Sequence, residues 1–143
     1  GANGAVGVFF GCTYTDPNLR YKVFRQFWPS GTVASDAEAY VVDDPNVVMQ
    51  IQHSGTVAAT AIGLNVAMTA TTGGSTTTGN STFAATGTPA VTATLPLRIV
   101  GFVDGPDSRP GDAATDLLVK WNAPNVTSQV VNGGHAYFNP LGV

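Results

Sequence analysis

The stretch Ala39–His53, AYVVDDPNVVMQIQH, decides how this chain folds. Val47, Met49 and Ile51 alternate with Val48, Gln50 and Gln52, the two-residue period of a strand with one face buried. Ala39-Tyr40-Val41-Val42 is a second short β-prone run. Between them stands Asp43-Asp44-Pro45-Asn46, where the proline ring presets φ for a turn and Asp44 and Asn46 suit the flanking positions. The pattern predicts a β-hairpin, the seed of an all-β domain.

Beyond it, Ala61–Met68 alternates again, with Ile62, Leu64, Val66 and Met68 on one face. Thr71–Thr82 is a low-complexity run of Thr, Gly, Ser and Asn and reads as an exposed loop. Ser81–Thr92 has only weak strand character. In Ala93–Val103, Leu95, Leu97, Ile99 and Gly101 share a face, and Pro96 places the strand at a sheet edge or marks its start. Asp104–Asp116 is a Gly/Pro/Asp loop, Leu117–Asn122 is a last strand, and Asn132-Gly133-Gly134 is a turn. Helical i, i+3, i+4 periodicity is absent. Short strands separated by turn clusters predict a small antiparallel β-barrel or sandwich over residues 36–124, with extended N- and C-terminal arms at 1–35 and 125–143.

Composition narrows the function. Of 143 residues only 10% are charged, where soluble domains average about 25%. The surface must therefore be largely Thr, Ser, Asn, Gly and Ala, which suits lying against another protein. A net charge of −3 without a Lys/Arg cluster argues against nucleic-acid binding. No apolar run approaches the roughly 20 residues of a membrane-spanning helix. A single cysteine permits no internal disulfide framework.

Each candidate for chemistry has a plainer account. Cys12 with His53 or His135 suggests a thiol nucleophile, but nothing local places a base and its orienter beside the sulfur. Asp43 and Asp44 with Glu38 suggest an acid–base pair, yet a turn already requires those residues. Asp104, Asp107, Asp112 and Asp116 crowd one loop as Ca²⁺ ligands do, but without EF-hand spacing. We assign no catalytic residue, cofactor or metal.

The N-terminal segment is the sharpest feature. Val8, Phe9, Phe10, Tyr14, Tyr21, Phe24, Phe27 and Trp28 include seven of the chain's 13 aromatic residues, and Arg20, Lys22 and Arg25 are half of its six cations. Tyr137 and Phe138 form a smaller patch near the other end. So many aromatics in one Gly- and Pro-punctuated stretch exceed what a small barrel buries through a single segment. Aromatics are also what interfaces concentrate at their centres.

Three runs carry a resemblance: Gly7-Val8-Phe9-Phe10-Gly11-Cys12-Thr13-Tyr14, then Phe27-Trp28-Pro29, then Tyr40–Val48. Together with Leu97–Val103, Thr115–Val119 and the closing Tyr137-Phe138-Asn139-Pro140-Leu141-Gly142, they make the chain similar to capsid decoration (cement) proteins of tailed bacteriophages. The Thr-rich middle has no counterpart. The resemblance implies a small β-barrel without enzymatic activity or cofactor, a homotrimer at local threefold positions on the outer surface of a phage head. There it would bridge major capsid protein subunits. On that reading Gly1–Trp28 and Val130–Val143 are expected to reach the capsid or a neighbouring copy, with Arg20, Lys22 and Arg25 available to pair with acidic capsid groups. The alternative is a carbohydrate-binding or adhesin-type β-domain in which Trp28 or Trp121 stacks on sugar rings.

Overall fold

The structure, a computed structural model, describes residues 7–70, 74, 75, 77–122, 125–127 and 130–132. The described chain is nearly all β and forms an open, sandwich-like arrangement of two antiparallel sheets. The smaller sheet has β1 (Val8–Thr15) at its centre, flanked by β2 (Lys22–Arg25) and β3 (Glu38–Val42). The larger has the order β4-β8-β7-β5-β6, built from β4 (Met49–Gln52), β5 (Asn65–Ala70), β6 (Phe83–Ala90), β7 (Leu97–Phe102) and β8 (Asp116–Trp121). A ribbon of β9 (Asn125–Thr127) and β10 (Val130–Asn132) follows. The turn expected at Asn132-Gly133-Gly134 extends beyond the described residues.

The predicted hairpin does not form. Its two strands and its turn are where expected: Asn46 N donates to Asp44 Oδ1 at 2.8 Å and Val47 N to the Asp44 carbonyl at 3.3 Å. However, β3 pairs with β1 and β4 pairs with β8, so the two strands lie in different sheets. The turn explains why. No residue in 43–48 has a positive φ, so it is not one of the primed turns whose twist matches a two-stranded hairpin, and the strands splay. Ala39–His53 is the crossover between the sheets.

The core belongs to the larger sheet. Met49, Val119 and Ile99 stand side by side across β4, β8 and β7, and Ile51, Leu117 and Phe102 form the next row. Val66, Ala85, Leu97 and Trp121 complete the buried face, with Val57 and Ala61 from the connection before β5. Burial of Leu97, Ile99, Leu117 and Val119 stabilises the fold by about 1.5–3 kcal/mol each. The shared face expected for Leu95–Gly101 is broken by a bulge between Ile99 and Gly101, beyond which Phe102 takes the row with Leu117. Pro96 does precede the strand's first residue. Ile62 is exposed and the strand begins only at Asn65, so the alternation read from 61 to 68 is real only in its second half.

Ser81–Thr92 holds an eight-residue strand, β6, and not the weak one expected. Its Ala, Gly and Pro residues carry little β-propensity, yet as an edge strand it needs only one neighbour, and it tolerates Pro89 and a bulge at Gly87 (φ +81°). The two edges of the larger sheet, β4 and β6, meet at one parallel bridge, His53 to Ala85, so the sheet curls without closing into a barrel.

Candidate functional site

The segment expected as an N-terminal arm contains β1 and β2, and β1 pairs on its other side with β3, a strand assigned from the sequence to the central domain. Asp16 shapes the reversal between β1 and β2: its Oδ1 accepts from Asn18 N at 2.8 Å and Leu19 N at 3.1 Å. β3 is tied to the far end of β1 by Asp36, whose carboxylate accepts from Thr15 Oγ1 at 2.7 Å and from Thr15 N at 3.0 and 3.2 Å. Those bonds, the Thr15 hydroxyl first, hold the Asp36 carboxyl below the usual carboxylate range.

The resulting sheet exposes apolar side chains that a solitary domain would bury. Phe10 is 68% exposed, Phe24 54%, Tyr40 43% and Trp28 39%, and Val8, Phe9, Tyr21, Val41 and Val42 are exposed with them. Phe10 sits at the irregularity where the β1–β3 register shifts between Phe9 and Gly11. The Phe24 and Tyr40 ring centroids lie 6.1 Å apart. Gly11 makes room for them: a Cβ there would stand 2.8 Å from the Phe24 ring and 2.9 Å from the Arg25 carbonyl oxygen. Beside the rings, Lys22 Nζ reaches Glu38 Oε2 at 3.2 Å, and Thr13 Oγ1 lies 3.4 Å from the same carboxylate oxygen and 3.3 Å from the Tyr40 hydroxyl. Arg20 and Arg25 are exposed.

Two of the proposed contact residues act from beneath. Tyr14 is 1% exposed, its ring 5.0 Å from that of Trp28, so it supports the surface without being part of it. Phe27 is half-buried against Gly79 (φ +76°), where a Cβ would overlap its ring. That contact seats the N-terminal segment on the Thr-rich loop, which is therefore more than a solvated tip. Tyr137 and Phe138 lie outside the described residues. Between the two sheets is an apolar cleft of about 1010 Å³, with Val8, Phe9 and Trp28 on one wall and Met49, Ile51 and Phe83 on the other.

Sequence reasoning missed Tyr40, Val41 and Val42. Their signal was a run apolar at successive positions, which a strand with one solvated face would not show.

The candidates for chemistry are dispersed. Cys12 is buried in β1, its Sγ 3.7 Å from the Phe27 carbonyl, and burial pushes its thiol pKa up. His53 is on the other sheet with both ring nitrogens engaged, by Gly55 N and the Gly87 carbonyl, each at 3.0 Å. The Asp104–Asp116 loop is held internally: Thr115 Oγ1 donates to the Asp112 carbonyl at 2.7 Å, and Ser108 Oγ accepts from Asp116 N at 2.9 Å. Among the described residues no three His, Cys, Asp or Glu are grouped to hold a metal ion. Trp121, considered as a sugar platform, is buried in the core.

No protein-family model matches the chain, and no curated protein and no solved structure does either.

Proposed function

We propose that this chain is a viral structural protein that decorates and cements the outer surface of a phage capsid, bridging major capsid protein subunits as a homotrimer. One observation carries the reading: the three-stranded sheet presents Phe9, Phe10, Phe24, Tyr40 and their valine neighbours to solvent, while the buried cluster lies in the other sheet. A large apolar side chain left half in water has about 1 kcal/mol or more still to gain on burial. Patches of this kind mark protein interaction sites. Repetition over a lattice multiplies modest contacts into firm attachment. The low charge content and the sequence resemblance support the same reading.

The test uses Phe10, which is too exposed to serve the fold. Phe10→Asp should leave far-UV circular dichroism and melting unchanged while cutting co-sedimentation with undecorated expanded heads at least tenfold. Full occupancy by the variant, or a wild-type chain that ignores heads, would overturn the proposal.

A second reading, a carbohydrate-binding domain, is favoured by Trp28, which is partly exposed on a formed surface. A saturable ligand on a glycan array, quenched by Trp28→Ala, with no affinity for heads, would establish it instead.

A further inference from the structure

In the three-stranded sheet β1 is paired on both sides, whereas β2 and β3 each have one side without a strand among the described residues. All five residues of β3 are exposed, as are Lys22, Phe24 and Arg25 of β2. Such edges offer a row of amide and carbonyl groups to another chain, and proteins usually blunt them with proline or lysine. β3 has neither: Glu38-Ala39-Tyr40-Val41-Val42 is a β-prone run.

The two edges differ in sign. Residues 17–35 contain Arg20, Lys22 and Arg25 and no acid, while residues 26–97 contain no Lys or Arg at all. β3 is bracketed by Asp36 and Glu38 at one end and Asp43 and Asp44 at the other. Pairing of β2 with β2, or of β3 with β3, about a twofold axis would bring like charges together. Pairing of β2 with the β3 of another copy brings opposite charges together. Such a contact is head-to-tail and closes only as a ring.

We propose that the partner of these edges is a second copy of this chain, with β2 of each protomer adding to β3 of the next so that the small sheets join around the ring. This rests on the homotrimer within the proposed function and needs no capsid. It also gives Arg20 and Arg25 a partner in the neighbouring protomer, where opposite charge selects register and partner.

Charge reversal tests it. Arg20→Glu with Arg25→Glu reverses the β2 edge, and Glu38→Lys with Asp43→Lys reverses the β3 edge. Each pair should raise the protomer concentration needed for half-assembly, read by light scattering and sedimentation velocity, by about tenfold or more. All four changes together should restore assembly to within about threefold of wild type. High salt should weaken the wild-type assembly and the restored one alike. Circular dichroism of each variant separates a failure to fold from a failure to assemble. The Lys22–Glu38 pair lost in one variant is exposed, so its removal costs the fold about 1 kcal/mol at most.

A trimer indifferent to both reversals, or a dimer, overturns the edge pairing. So does a wild-type monomer whose binding to heads is lost in either reversal, because the edges then receive a capsid strand. A trimer that responds as described but ignores heads leaves the edge pairing standing and removes the capsid reading alone.

Discussion

Asp36 shows how a single exposed carboxylate holds two strands in place. Its oxygens take the Thr15 hydroxyl and amide at the end of β1, two residues before β3 begins. Because those bonds lower the carboxyl pKa in the folded state, the folded protein binds this proton less readily than the unfolded chain does. The stabilisation is therefore complete above the ordinary carboxylate value of about 4 and is lost as pH falls through the lowered one. We expect Asp36→Asn to be less stable than wild type at neutral pH. The two denaturant midpoints should converge as pH drops from 5 to 2. Parallel curves over that range would show that the charge contributes nothing to the tie.

At the level of elements, the curl of the larger sheet is fastened by the two residues that follow β4, His53 and Ser54. Gly55 N–H donates to His53 Nδ1, so the ring proton is on Nε2 and is donated to the Gly87 carbonyl; Ser54 N meanwhile donates to the Ala85 carbonyl at 2.9 Å. The bonds to Gly87 and Ala85 join the end of β4 to β6. Replacing the buried imidazole removes its bond to the Gly87 carbonyl and leaves space where the ring was packed, so His53→Ala should cost about 1–3 kcal/mol. Amide exchange at Ser54 should accelerate well beyond that of β7 and β8. An unchanged Ser54 rate would mean that the edges stay together without the ring. The strands that made this sheet were largely readable in advance. Leu97, Ile99, Leu117 and Val119 alternate with polar or half-exposed neighbours, because a buried face imposes that period. Pairing was not readable, since Asp44-Pro45-Asn46 encodes a local turn and carries no information about which distant strand each flank will meet. β6 read as weak because alanine, glycine and proline interrupt its threonines, and an edge strand needs no alternating apolar face. The apolar surface was legible as composition in residues 8–28, but its completion by Tyr40, Val41 and Val42 depended on that same long-range pairing.

Taken whole, the molecule distributes its stability unevenly. The buried cluster gathers around β4 to β8, whereas in the smaller sheet only Cys12 and Tyr14 are fully buried apolar side chains. The Phe27–Gly79 packing joins the two parts across a cleft of about 1010 Å³. Local opening free energies follow buried apolar contact. In dilute solution, amides of β1, β2 and β3 should thus exchange with protection roughly tenfold or more below those of β7 and β8. Assembly changes this, because a partner on the apolar faces and free edges of the small sheet adds the missing burial to β1–β3 and little to β7 and β8. Hydrogen exchange read by mass spectrometry on the chain at low concentration, at high concentration and on decorated heads should show β1–β3 rising toward the level of the core. The stage at which it rises tells which partner does the covering: at high concentration alone for another copy, only on heads for the capsid. Uniform protection in the dilute chain would mean that the small sheet is stable by itself, and its exposed aromatics would then no longer require a partner.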